Sequence, residues 1–167
     1  MKLHEKYPLT INLWFEHKAE EAAKYYTSVF KDGKILNTTY FGKEGYEIHK
    51  MPEGTVMTID FEIHGARFVI LNGGPMFKLT EAVSFIITCD TQEEIDYYWE
   101  NLGKGGDPDA QQCGWIKDKY GVSWQIVPAI LDKLIADPNR EKAGKAMNAM
   151  LQMKKLDIKK LEDAFNG

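Results

Sequence analysis

The sequence contains only two cysteines, Cys89 and Cys113, in 167 residues. Two thiols cannot build a disulfide framework, and no CxxC or Cys/His spacing accompanies them, so both read as reduced thiols and structural zinc has no motif. Long hydrophobic runs are missing as well: nothing approaches the ~20 apolar residues of a transmembrane helix. Residues 1–10 carry Lys2, His4, Glu5 and Lys6 without the apolar segment or cleavage site of a signal peptide. A cytoplasmic protein is therefore expected. Charge of one sign is also lacking. Lys and Arg number 21 against 25 Asp and Glu, a net charge of -4, with no basic run or RNA-binding signature, so nucleic acid is not an expected partner.

What the chain does have is apolar area. Hydrophobic residues at 44% and aromatics at 12% suffice for a packed core, which excludes disorder, and the length fits one ordinary domain or two small modules sharing a core.

Ile11 to Glu16 alternates Ile11, Leu13 and Phe15 with Asn12, Trp14 and Glu16, the period of a half-buried strand. Lys18 to Phe30 repeats apolar residues at Ala22, Ala23, Tyr26, Val29 and Phe30, which predicts an amphipathic helix stopped by Asp32-Gly33. Strands are predicted over 35–42, 55–64 and 66–72, with His64-Gly65 as the tight turn between the last two. The order is βαβββ. After Gly73-Gly74-Pro75, a strand over 83–90 and a helix over 91–102, with Thr91 and Glu94 as a capping box, look like a second start. Segments 111–117 and 122–127 then form a hairpin through Asp118 to Gly121. The pattern Glu20-Glu21 with Tyr25-Tyr26 recurs as Glu93-Glu94 with Tyr97-Tyr98-Trp99, a weak trace of duplication. In the tail, Asp137 is expected to cap a helix with Pro138 at its first position and a Met147, Met150, Leu151 stripe; Asp157 caps another with Ile158, Leu161 and Phe165.

Several strings together resemble one family: Ala19-Glu20-Glu21-Ala22 to Phe30, Leu71-Asn72-Gly73-Gly74-Pro75, Phe77 to Ala82, Cys89 to Trp99, and Gln112-Cys113-Gly114-Trp115 through Trp124-Gln125-Ile126-Val127-Pro128. They are similar to the bacterial PhnB-like proteins, labelled 3-demethylubiquinone-9 3-methyltransferase, within the vicinal oxygen chelate superfamily of glyoxalases and bleomycin-resistance proteins. The resemblance implies an α+β fold in which two βαβββ modules form a curved mixed sheet around a cavity, followed by C-terminal helices. The expected modules are residues 10–74 and 82–128 of a single domain, with a helical tail over 129–167. It also implies a homodimer, which the apolar stripes of the tail helices would favour independently.

Metal-dependent members of that superfamily place His or Glu ligands at stretches that correspond here to Thr10 to Asn12, Asn72, Val83-Ser84 and Gln125. None is a His or a carboxylate, and Gln125 stands where the family pattern after the Asp118 to Gly121 turn puts a Glu. No metal and no cofactor are expected. S-adenosylmethionine would normally come with a glycine-rich turn leading into a helix, whereas Gly73-Gly74-Pro75 leads to a loop and Gly103 to Gly106 follows a helix, so the methyltransferase label has little support.

Strand alternation then nominates the pocket. With Ile11, Leu13 and Phe15 under the helix, Asn12 and Trp14 face inward, and the same alternation is expected to add Phe68, Ile70, Asn72, Ser84, Ile86, Ser123 and Gln125. Asn72 and Gln125 carry an equal alternative as scaffold hydrogen-bonders. Trp14, Trp115 and Trp124 read as core first and stackers second, and Cys113 as a buried structural thiol with no adjacent His to activate it. The favoured function is binding of a small molecule in a metal-free cavity. The alternatives are a metal-dependent lyase, isomerase or dioxygenase that recruits His4 or His17, and an antibiotic-sequestering protein of the bleomycin-resistance type. Elemental analysis of tag-free protein is expected to find no stoichiometric zinc, nickel, manganese or iron; near one metal per chain, lost with stability on chelation, would contradict this.

Overall fold

The computed structural model describes residues 6–167, so His4 lies outside the described residues. The chain forms two compact units, one ending at Leu79 and one beginning at Thr80.

The first unit runs β1 (Ile11–Phe15), α1 (Ala19–Val29), β2 (Lys34–Tyr40), a short α2 (Tyr46–His49), β3 (Val56–Ile63) and β4 (Ala66–Asn72). Its sheet has the order β1-β4-β3-β2, with β1 parallel to β4 and the other pairs antiparallel. His64 and Gly65 both have positive φ, as a two-residue hairpin needs for its twist to match the strands it joins. Helix α1 buries Ala19, Ala22, Ala23, Tyr26 and Val29. Its alanines permit close approach to the sheet, and Tyr26 stacks on Phe61 (5.9 Å), which stacks on Phe68 (5.3 Å). Each such aromatic pair adds about 0.5–1.5 kcal/mol beyond the area it buries.

The register corrects one expectation. Ile11 pairs with Phe68, Leu13 with Ile70 and Phe15 with Asn72, so all six side chains share the helix-covered face. Asn12 and Trp14 pair with Val69 and Leu71 on the opposite, open face. Phe68, Ile70 and Asn72 therefore do not join Trp14, because the alternation in β4 runs one residue out of phase with the one assumed from the sequence.

Asn72 is part of the scaffold. It is 6% exposed, its Oδ1 accepts from the Ala19 N–H (2.9 Å) and its Nδ2 donates to the Val56 carbonyl (2.9 Å). Lys18, at the N-cap of α1, makes no side-chain cap, so the helix start is satisfied from β4 instead. At the following residue, a Cβ on Gly73 would sit 2.3 Å from the Trp14 ring, which no other residue could tolerate without displacing the indole.

The second unit repeats the order with β5 (Phe85–Cys89), α3 (Gln92–Gly103), β6 (Asp107–Gln112), β7 (Trp115–Lys117) and β8 (Ser123–Pro128), arranged β5-β8-β7-β6 with β5 parallel to β8. This matches the first sheet strand for strand. The capping box is present: Thr91 accepts from the Glu94 N–H while Glu94 reaches back to the N–H of Thr91. In the β7–β8 turn, buried Asp118 accepts from the N–H groups of Tyr120 and Val122 and from the Trp124 indole (2.9 Å), so one carboxylate ties the turn to the core.

Two boundaries differ from the sequence reading. The predicted 111–117 strand is two strands broken by Cys113 and Gly114, both at positive φ, and β6 starts at Asp107 and contains Pro108. A proline-bearing polar segment qualifies as a strand here because it lies on the sheet edge, where a missing N–H costs no ladder bond. The second difference concerns α5 (Arg140–Leu151), capped by Asn139 through the N–H groups of Glu141 and Lys142; Asp137 accepts from Asn139 instead. Helices α2 and α4 (Leu131–Ile135) were not expected from the sequence.

The tail packs on its own unit. Leu131, Leu134, Ala146, Leu156 and Leu161 form a buried cluster, with α6 (Ile158–Asn166) contributing Leu161 and Phe165 from behind its Asp157 cap. Met150 packs against this cluster, while Leu151 at the end of α5 stays exposed. The tail thus covers much of the surface that suggested a second copy, which leaves the expectation of a homodimer to the family resemblance alone. Among the described residues, no helix is long and apolar enough to cross a membrane.

Asn72→Ala is expected to destabilise the protein by about 2–4 kcal/mol in chemical denaturation, because it strands the Ala19 N–H and the Val56 carbonyl in a buried setting.

Candidate functional site

Each sheet is covered by a helix on one face, so chemistry has to be sought on the other. The open face of the first sheet is dominated by ion pairs. Glu62 on β3 takes Lys34 at 2.5 Å and Lys6 at 3.6 Å and accepts the Tyr7 hydroxyl, while Asp60 pairs with Arg67 from β4. The Lys34 hydrogen bond, followed by that of Tyr7, holds the Glu62 carboxyl down at about 2. Thr39 and Thr58 bond to each other across β2 and β3 (2.6 Å). Trp14 donates its indole N–H to the Gly74 carbonyl (2.9 Å) and meets the edge of Phe77 at 4.9 Å. Asn12 is exposed. These groups satisfy one another except at the Arg67 Nε, which is buried without a partner.

The second sheet differs. Phe85, Ile87, Cys89, Trp124 and Ile126 turn toward the helix, and burial of the Cys89 thiol pushes it up to about 11, so this thiol stays protonated and inert at neutral pH. The open face carries Ile86, paired with Gln125, which in turn pairs with Trp115 on β7. A groove of about 250 Å³ lies here, with Ile86, Thr88, Trp115, Gln125 and Val127 as its floor and Cys113, Leu131, Asp132 and Met150 among its walls. Ile86 is 62% exposed, an uncommon state for a large aliphatic residue in a four-stranded sheet. Gln125 donates Nε2 to Ser84 Oγ (2.9 Å), which aims the amide along the face.

Of the residues nominated from sequence, the structure brings Ser84, Ile86, Ser123 and Gln125 onto this face. Asn12 and Trp14 share the open face of the first sheet. Phe68, Ile70 and Asn72 lie beneath α1. Trp115 lines the groove, whereas Trp124 is core. Cys113 is half-exposed on the groove wall, a correction to its expected burial; its left-handed turn conformation lifts it out of the sheet. Thr88 and Val127 were legible by two-residue steps from Ile86 and Gln125. Asp132 and Met150 had no such signal, since their placement depends on how the tail folds back.

Among the described residues no three His, Cys, Asp or Glu side chains converge as a metal site requires. The donors on the second open face are hydroxyls and an amide, and the carboxylates on the first are already engaged by cations, so the divalent ion of metal-dependent superfamily members does not fit either set. His17 is exposed beyond the end of β1.

Comparison with known proteins follows the same lines. The sequence model described as 3-demethylubiquinone-9 3-methyltransferase matches residues 8–127. A putative 3-demethylubiquinone-9 3-methyltransferase, PhnB protein, from Bacillus cereus is 36% identical with a TM-score of 0.60, covering 72% of this chain and 98% of that one. Protein PA1353 from Pseudomonas aeruginosa (17% identity, TM-score 0.56, 72% and 96% covered) and the fosfomycin resistance protein FosX from Listeria monocytogenes (13%, 0.52, 75% and 93%) share the fold. No curated protein matches the chain.

Since folding depresses the Glu62 pKa from 4.5 to about 2, the stability it supplies is present above 4.5 and is lost as the pH falls toward 2. In acid titrations followed by denaturant unfolding, Glu62→Gln is expected to flatten this part of the profile, and an unchanged acid limb would contradict the pairing. With two βαβββ units, each sheet helix-covered on one face, and with the match extending over 8–127, the chain belongs to the 3-demethylubiquinone-9 3-methyltransferase, or PhnB-like, family and has the fold of the vicinal oxygen chelate proteins.

Proposed function

We propose that this protein binds a small molecule without a resident metal, and that the ligand lies in the groove on the open face of the second sheet. The observation that carries this reading is the exposed Ile86 beside the Gln125 amide on a walled floor. An apolar floor with one oriented polar group is the usual composition of a small-molecule site, and a volume of about 250 Å³ falls just below the ~300–1,000 Å³ of drug-sized pockets. The ligand is therefore of metabolite size. Met150 on the wall supplies an adaptable, polarisable contact.

Methyl transfer is not part of the proposal. Gly73-Gly74-Pro75 leads into a loop that lasts until β5, and Gly103 to Gly106 follows α3, so neither presents a helix N-terminus to a cofactor.

The test is a thermal-shift screen of metabolites in the presence of chelator, followed by titration of hits into variants. Ile86→Ala and Gln125→Ala are expected to keep the ligand-free melting temperature close to wild type, Ile86 because it is exposed and Gln125 because its partner Ser84 retains access to solvent. Each should weaken a hit by about tenfold, roughly 1.4 kcal/mol. Hits that bind both variants as tightly as wild type would place the ligand elsewhere.

A further inference from the structure

One register step from Gln125 the open face of the second sheet changes character. Lys117 on β7 pairs with Ser123 on β8, which puts both side chains on the same face as the Trp115–Gln125 pair and about 7 Å from it, two residues at ~3.4 Å each, just beyond the residues that line the groove. Ser123 is 3% exposed, and its Oγ is buried with no hydrogen-bond partner. Buried hydroxyls are nearly always bonded, so an orphan on an open sheet face marks a place where a partner is missing. Beside it, Lys117 has a side chain 24% exposed and is neutralised by Glu81, a residue of the loop before β5 whose own side chain is 58% exposed. Asp107, opposite Lys117 on β6, spends its Oδ1 on the Asp109 N–H. A half-buried ammonium thus meets a carboxylate carried by a connecting loop, next to a hydroxyl that nothing satisfies.

We infer that the ligand of this groove is a small carboxylic acid: its carboxylate takes the place of Glu81 on Lys117 and accepts the Ser123 hydroxyl, while its apolar body lies over Trp115 and Ile86. This rests on the groove reading above and adds the chemical class. Glu81 then acts as an internal carboxylate that occupies the ammonium until a ligand displaces it. An amide or ester of the same body cannot replace it, because a neutral oxygen leaves Lys117 without its counter-charge. The ~7 Å step sets the length: the acid group must be separated from the centre of the apolar body by a short spacer.

The experiment uses the full chain and a set of matched pairs: straight-chain acids from butanoate to decanoate, phenylacetate and 3-phenylpropanoate, each beside its primary amide. Binding is followed by chemical-shift perturbation of backbone and indole N–H groups. At least one acid is expected to shift Trp115 and its neighbours, with its amide at least about tenfold weaker. Glu81→Gln should tighten the acid about threefold or more by removing the internal competitor. Lys117→Met should weaken it about tenfold and bring acid and amide level. Ser123→Ala should weaken it severalfold without lowering the melting temperature, since the hydroxyl has no scaffold bond to lose. Weaker or unchanged binding in Glu81→Gln overturns the displacement. Amides that bind as well as acids and shift Trp115 overturn the carboxylate assignment while leaving the groove as the site. If no member of any pair shifts Trp115 or Ile86, the groove reading falls together with this inference.

Discussion

Covering a sheet with a helix on one face divides its residues by parity, and in this protein everything else follows from where that parity falls. The parallel pairs β1–β4 and β5–β8 fix it, since each sets a first strand beside a last strand in a register that a one-residue slip would invert. Under α1, the Tyr26, Phe61 and Phe68 stack and the alanines that permit it hold the phase in the first unit. In the second, Trp124 does so by bonding Asp118, whose carboxylate also organises the turn into β8. The open faces are what remains after those demands are met.

The remainder is used differently in the two units. On the first sheet Lys34, Glu62, Asp60 and Arg67 form a cross-strand lattice of charge in which both carboxylates are engaged and only the buried Arg67 Nε is left without a partner. On the second, opposite charges are scarce near the middle of the face, and an isoleucine, a tryptophan and an amide take their place. Each sheet keeps one buried polar atom without a partner, Arg67 Nε on the first and Ser123 Oγ on the second, but the groove with an exposed isoleucine lies on the second.

The strand-helix order, the His64-Gly65 and Asp118 to Gly121 turns and the Thr91 capping box were legible in sequence because each depends on neighbours a few residues away. The phase of β4 was not. Phe68, Ile70 and Asn72 alternate equally well in either phase, and only pairing with β1, more than fifty residues earlier, selects one. Asn72 shows the same limit from another side: nothing near His17-Lys18 announces that their helix is capped by a residue from β4. Edge strand β6 was obscured by Pro108 and its acidic neighbours, which suit an exposed edge and resemble a loop. Of the candidate site, the members on β5 and β8 were readable by two-residue steps, while the walls depended on long-range folding of the tail.

That tail is fastened to the second sheet by its own backbone. The N–H groups of Cys113 and Gly114 donate to the carbonyls of Met153 and Lys154, and Gln92 on α3 bonds both the Leu156 carbonyl and the Ile158 N–H. The similarity that defines the family ends at residue 127, whereas Leu131, Asp132 and Met150 on the groove wall lie after it. Floor and wall thus fall on different sides of the stretch that the family shares with this chain. Relatives with the same strands and another C-terminus would present a groove of different depth and polarity, so a ligand identified for one of them does not carry over to the rest by sequence similarity in the sheets.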